Sequence, residues 1–216
     1  MNDKLSAYFD LMKSRPEEFE NNSSFTQIIK DPEIIEEYCS KTGKEIGLFY
    51  KSDYHIMVVD LVTDDGITFY PYERLLTTIP KGAVVEVAIY NGRYVLLKQY
   101  RHSLRDFQFA FPRGYAEDGL SAEQNIRKEL FEELGCQVSK SEYLGSVVAD
   151  SGVCGQKVSV FRCMITEPVL KRNYEGIEQI YMFTSNELQQ MIRDGKISDG
   201  YTLAAFGLLF CNCRGE

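Results

Sequence analysis

The stretch that decides the fold is Gly114–Cys136, GYAEDGLSAEQNIRKELFEELGC. Its second part reads as one helix. Ser121 is a preferred N-cap, Ile126, Leu130 and Leu134 recur every fourth position along one face, and Gly135 supplies the stop. On the same helix Glu129, Glu132 and Glu133 stand at i, i+3 and i+4, so the helical period gathers three carboxylates. Taken alone, such a cluster makes a solvated helix face, on which each like-charged pair costs a few tenths of a kcal/mol. The setting gives it another meaning: a short apolar segment ending in Pro112-Arg113-Gly114, a loop, and then an acidic helix closed by glycine.

Working outward, DFQFAFPRG reads as a short strand ended by Pro112 and Gly114. Before it, Ala83–Tyr90 and Arg93–Tyr100 are apolar, β-branched or aromatic runs joined by Asn91-Gly92, the dipeptide of a type I′ hairpin. After the helix, EYLGSVVAD, VSVFRCMI and IEQIYMFT read as strands, then SNELQQMIRDG and SDGYTLAAFGLLF as helices, the first starting at Ser185 or Asn186. Further upstream, HIMVVDLVT, a turn at Asp64-Asp65-Gly66 and ITFYPYERL are β-rich. From Leu5 to about Cys39 the apolar spacing is helical; Ser24 with Gln27 forms a capping-box pattern, and Asp31-Pro32 marks a second helix start. The order predicts an α+β fold, a mixed β-sheet sandwich flanked by helices, with a helical extension at 1–50 and the main domain at 51–216.

The chain has 216 residues, a net charge of -8 and 44% hydrophobic residues, which is ordinary globular composition. That charge, without a long Lys/Arg cluster, argues against a nucleic-acid polymer as partner. It does not argue against a small anion, because a divalent cation inverts the field at one site. Six cysteines without a paired CxxC pattern predict neither a zinc site nor a disulfide framework, although Cys211 and Cys213 could take a soft metal. The mixed, charged start lacks the apolar stretch of a signal peptide, and nothing later approaches a membrane span. A cytoplasmic location without membrane attachment is the expectation. His55 and His102 offer no metal spacing and are read as structural.

The spacing of Gly114, Glu129, Leu130, Glu132, Glu133, Gly135 and Cys136 resembles the motif of the Nudix hydrolases. By average residue usage such a register arises by chance about once in ten thousand trials or less. VVEVAIYNGRYVLLKQYRHSL and GKISDGYTLAAFGLLF resemble the ADP-ribose pyrophosphatase branch, so the likeness runs from about Tyr54 to Phe210. It implies a Nudix-like fold and metal-dependent hydrolysis of a small nucleotide-diphosphate substrate, most simply ADP-ribose or a nucleotide sugar. Glu129, Glu132, Glu133 and the carbonyl of Arg113 are then the metal-site residues for Mg²⁺ or Mn²⁺, the cations suited to oxygen-only ligation. Glu132 and Glu133 are also catalytic candidates, and Glu178, ahead of Glu175, is the loop carboxylate expected to act as base. Arg101, Arg105 and Arg113 have the guanidinium geometry that phosphate prefers, and Tyr100 or Phe107 could stack on a base.

Three positions depart from the family. Leu120 occupies the first glutamate position, Lys128 the arginine position, and Ala110 the place of a glutamate two residues before the motif proline. Lysine keeps the positive charge but loses the bidentate fork, and Arg127 lies about a hundred degrees round the helix. Glu117, Asp118 or Glu123 are out-of-register substitutes for the missing acid. The Ser151–Gly155 loop stands where the family has a substrate loop without following its pattern. An impaired, Nudix-fold nucleotide-binding module and a protein-binding scaffold thus remain alternatives to a hydrolase. The resemblance also implies a homodimer, with Phe9, Leu11, Phe19, Ile34 and Ile35 making contacts within one subunit or across the two-fold.

Overall fold

The computed structural model describes residues 3–79, 82–170 and 175–212; Cys213, one of the two cysteines that could take a soft metal, lies outside them. The chain packs as two compact units, one formed by Met1–Pro80 with Asp150–Gln156 and the other by Lys81–Ala149 with Lys157–Glu216. The described cysteines are free.

The first unit runs α1 (Asp3–Ser14), a 3-10 turn (Pro16–Phe19), β1 (Gln27–Ile28), α2 (Pro32–Thr42), β2 (Gly47–Lys51), β3 (His55–Thr63) and β4 (Tyr70–Thr77). Strand β3 is central, pairing antiparallel with β4 along one edge and with β1 and β2 along the other. Asp31 caps α2 by accepting from the Glu33 and Ile34 N–H groups, as its sequence announces. Ser24, by contrast, starts no helix. Gln27 and Ile28 pair with Thr63 and Val62, and the Asn21 side chain bonds both the N–H and the C=O of Ile28. An open strand edge and an amide side chain satisfy this backbone better than a helical turn would.

Leu5, Tyr8, Leu11, Phe19 and Ile35 share one core with Ile56, Val58, Leu61 and Leu76. Residues 1–50 are therefore not a purely helical layer by themselves, because their apolar faces are completed by β3 and β4. Within this core Asp60 accepts from the Tyr8 hydroxyl and from the Arg74 guanidinium. Arg74 also donates to the Glu18 carbonyl at 2.8 Å and lies over the Phe19 ring. The Ser151–Gly155 segment joins the same unit: Leu75 N–H donates to the Val153 carbonyl and the Tyr72 hydroxyl to the Gly152 carbonyl.

The second unit contains β5 (Ala83–Tyr90), β6 (Arg93–Arg101), β7 (Asp106–Ala110), β8 (Arg113–Tyr115), α3 (Ala122–Leu134), β9 (Val138–Val147), β10 (Val158–Ile165), β11 (Ile177–Phe183), α4 (Ser185–Arg193) and α5 (Gly200–Asn212). Its sheet has the order β11-β6-β5-β10-β9, with β7 added to β6 and β8 to β5. Among the described residues only β5 and β10 pair in parallel, so the sheet is mixed. Asn91 and Gly92 adopt positive φ at the hairpin turn, as a type I′ turn requires. Past that turn β5 and β6 pair only at Ile89–Tyr94 and Tyr90–Arg93. They then part, and β8 and β7 pair with them instead.

Alternation along β5 feeds two cores. Val84 and Ala88 pack with Ile126, Leu130 and Leu134 of α3, whereas Val85 and Val87 pack with Leu188 of α4 and Ala205, Phe206 and Leu209 of α5. Helix α4 is capped by Thr184, one residue before the expected start, because its hydroxyl and Glu187 close a capping box. Among the described residues no helix is long and apolar enough to cross a membrane.

The Asp60 network gives a stability test. Asp60→Ala strands the Arg74 charge and is expected to cost at least about 3 kcal/mol in urea unfolding. Tyr8→Phe, which removes one hydrogen bond, should cost about 1 kcal/mol.

Candidate active site

Helix α3 is held as its sequence requires. Ser121 and Gln124 close a capping box, and Gly135 ends the helix in the left-handed region with its N–H on the Phe131 carbonyl. The apolar stripe docks on β5, which turns Glu133 inward to 2% exposure. Its Oε2 has no hydrogen-bond partner. Burial, then the neighbouring Glu129 and Glu175, pushes the Glu133 carboxyl up to about 8, against the opposing pull of Arg101 and Arg113. Glu129 is half-buried, and burial chiefly pushes it up to about 7. Its side chain fills the space over Gly114, where a Cβ would fall 2.0 Å from the Glu129 Cδ. Glycine at 114 is therefore a matter of room for a carboxylate.

Glu132 is turned to a different partner. Lys128 bridges Glu132 at 2.8 Å and Glu117 at 2.7 Å, and these contacts hold its ammonium charged. The lysine at the family's arginine position therefore engages Glu132, while Arg127 bonds the Val138 carbonyl. Of the possible substitutes for the missing acid, Glu117 is taken by Lys128, and Glu123 accepts from Ser141. Leu120 is half-buried and Ala110 buried in β7.

Two arginines, one from β6 and one from β8, act electrostatically on Glu133. Arg113 on β8 donates to the buried Asp199 at 3.0 Å and lies over the Tyr201 ring. Asp199 in turn accepts from the N–H and hydroxyl of Thr202, and the Thr202 hydroxyl accepts from Phe111 N–H. The start of α5 thereby fixes the Arg113 fork. Arg101, ending β6, has a buried Nε without a hydrogen-bond partner. Burial and then Arg113 lower its proton affinity, while Asp199, Glu133 and Glu175 act the other way. Arg101, Arg113, Glu129, Glu133 and Glu175 form one electrostatic neighbourhood.

The other expected residues lie outside that neighbourhood. Glu178 sits at a register shift of β11 and pairs with Lys98 at 2.5 Å; Glu175, in the turn before it, is the loop acid that acts on Glu129 and Glu133. That turn is anchored by Gln99 to the Glu175 carbonyl and by Tyr100 N–H to the Gly176 carbonyl. Asn173 and Tyr174 of the same expected loop lie outside the described residues. Arg105 is exposed at positive φ, beside His102. Tyr100 packs edge-on against Phe107.

The sequence reading missed Glu86 and Asp199. Glu86 is fully buried on β5, and neither of its carboxylate oxygens has a partner. An acid inside AVVEVAIY, an otherwise apolar run, was the available signal. Asp199 had the weaker signal of an N-cap residue before α5.

Among the described residues no three potential ligand side chains stand close enough to hold a metal ion as they are placed. The donor set nevertheless suits one: Glu129, Glu133 and Glu86 are carboxylates, two carry unpartnered buried oxygens, and all three are raised chiefly by burial, Glu133 also by Glu129 and Glu86 also by Glu133 and Glu129. Cation binding requires these side chains to turn towards one another, and neutralising their repulsion favours that movement.

Residues 80–206, more than half of the chain, match the family described as NUDIX domain. The chain belongs to the Nudix hydrolase family. It is 27% identical over 172 residues to the methanol dehydrogenase activator of Bacillus methanolicus, covering 76% of this chain and 89% of that protein. The fold is also that of a crystal structure of an ADP compounds hydrolase, with a TM-score of 0.69 at 16% identity over 79% of this chain and 92% of the other.

Two tests follow from the geometry. Glu129 and Glu133 bind protons more tightly than an unfolded glutamate near 4.5. Between about pH 5 and 8 the folded chain therefore holds more protons than the unfolded one, and stability falls as pH rises. With chelator present, Tm should drop by at least about 3 °C from pH 5.5 to 8.5, and Glu133→Gln should flatten that slope. Gly114→Ala should leave the circular dichroism unchanged, since Glu129 can swing aside, yet weaken Mn²⁺ binding at least about tenfold by displacing that carboxylate.

Proposed function

We propose that this chain hydrolyses the diphosphate linkage of a nucleoside-diphosphate derivative, ADP-ribose or a nucleotide sugar, to a nucleoside monophosphate and a sugar phosphate. The observation that carries the reading is the buried, unpartnered Glu133 oxygen on α3 within electrostatic reach of Arg101 on β6 and Arg113 on β8. Glu129 and Glu133 are the residues that would hold Mg²⁺ or Mn²⁺, with the Arg113 carbonyl as a further oxygen. The bound cation would neutralise phosphoryl oxygens and lower the pKa of a water.

The chain's own groups supply the rest. Arg101, whose Nε is uncommitted, binds diphosphate oxygens, and Arg113, held by Asp199, keeps its fork oriented for the same anion. Glu175 is the better proton acceptor of the loop pair, because Glu178 is already engaged by Lys98. Glu132 acts from outside, positioned by Lys128. Tyr100 and Arg105 border the end of β6 and serve the nucleoside portion. A cytoplasmic setting accords with the free thiols. Homodimerisation would have to use surfaces other than Leu11, Phe19 and Ile35, which are buried within their own unit.

A second reading, binding without turnover, is favoured by the apolar Leu120 and Ala110 and by the engagement of Glu132 with Lys128. Incubating nucleotide sugars with Mg²⁺ or Mn²⁺ and measuring released monophosphate separates the two. Hydrolysis is expected, and Glu133→Gln should lower kcat at least about a hundredfold with the fold intact. Tight binding with no release would establish the module instead.

A further inference from the structure

Glu86 is the one acid in the buried run of β5. It sits between Val84 and Ala88, which face α3, and opposite in pleat to Val85 and Val87, which face the other core. Val84 is the register partner of Gly114, the residue over which Glu129 lies. The strand ladder does not depend on the Glu86 side chain, since its N–H already donates to the Pro112 carbonyl at 2.9 Å. Neither carboxylate oxygen meets a donor, and the side chain is fully excluded from water. Beyond burial itself, the charged groups that raise it are Glu133 and then Glu129, with its own backbone acting weakly the other way.

A buried carboxylate with no donor is strongly unfavourable, and two further acids beside it worsen the case. An apolar residue would serve packing better at this position. A cation satisfies both Glu86 oxygens and relieves the repulsion from Glu129 and Glu133 together. We propose that Glu86 is a third carboxylate of the divalent-cation site, supplied from the sheet. It makes up for the acids absent at Leu120 and Ala110. This rests on the metal-dependent reading above and extends it to a strand residue outside the motif.

Mn²⁺ titration of the intact chain, followed by electron paramagnetic resonance, tests the assignment. Wild type should bind, and Glu86→Gln should bind at least about tenfold more weakly. The rise in Tm on adding Mn²⁺ should shrink in parallel. Glu86→Leu, a second variant in case the first folds poorly, should raise the Tm of the metal-free chain and remove most of the Mn²⁺ response. A folded Glu86 variant with wild-type affinity overturns the proposal; if Glu133→Gln loses Mn²⁺ at the same time, the metal-dependent reading survives without it. Failure of wild type to bind Mn²⁺ overturns both.

Discussion

The parting of β5 from β6 after two residue pairs is the constraint on which the second unit depends. A hairpin that stayed zipped would leave no room for β7 and β8, and the Pro112-Arg113-Gly114 segment would have no strand edge to join. Because the strands separate, β8 can lay Gly114 beside Val84 and leave its face open to Glu129. The same separation puts Arg101, at the far end of β6, and Arg113, on β8, within electrostatic reach of α3. Charges that lie far apart in sequence meet because two hydrogen-bond ladders diverge.

Desolvation then sets the character of the site. Docking the apolar stripe of α3 on the sheet also carries Glu133 out of water, and Glu86 comes from the strand beneath. Each carboxylate is harder to ionise than it would be in water, chiefly through burial, and Glu129 adds to the effect on Glu133 as both do on Glu86. Such a cluster persists only where function requires it or a counter-charge compensates it. Arg101 and Arg113 compensate in part, and they in turn are constrained: Asp199 bonds Arg113 and also caps α5 through Thr202. The start of the last helix thus helps to hold the Arg113 guanidinium in place.

Lys128 illustrates how a single substitution redistributes roles. An arginine fork can bind two oxygens of one carboxylate, whereas an ammonium acts as a point charge and accepts any nearby acid. Here it draws Glu132 and Glu117 together, while Glu133 lies buried on another side of the helix.

By itself the sequence determined the elements whose causes are local. Ser121 and Gln124, Gly135, Asp31-Pro32 and Asn91-Gly92 each specify a cap or turn within a few residues, and α3, α2 and the hairpin formed where these signals stand. Fixed motif spacing likewise identified Gly114, Glu129 and Glu133, because helical period and a short loop carry that information along the chain. Only the tertiary structure decided which carboxylates are dry. Glu86 looked like one polar residue in a strand, Asp199 like an ordinary cap, and Glu175 no better than Glu178 until the turn before β11 set Glu175 where it acts on Glu129 and Glu133 and Glu178 was left paired with Lys98. It also decided that the first fifty residues complete a core with β3 and β4 rather than standing apart. Burial and electrostatic coupling depend on what distant segments bring to a residue, and no spacing within one segment encodes that.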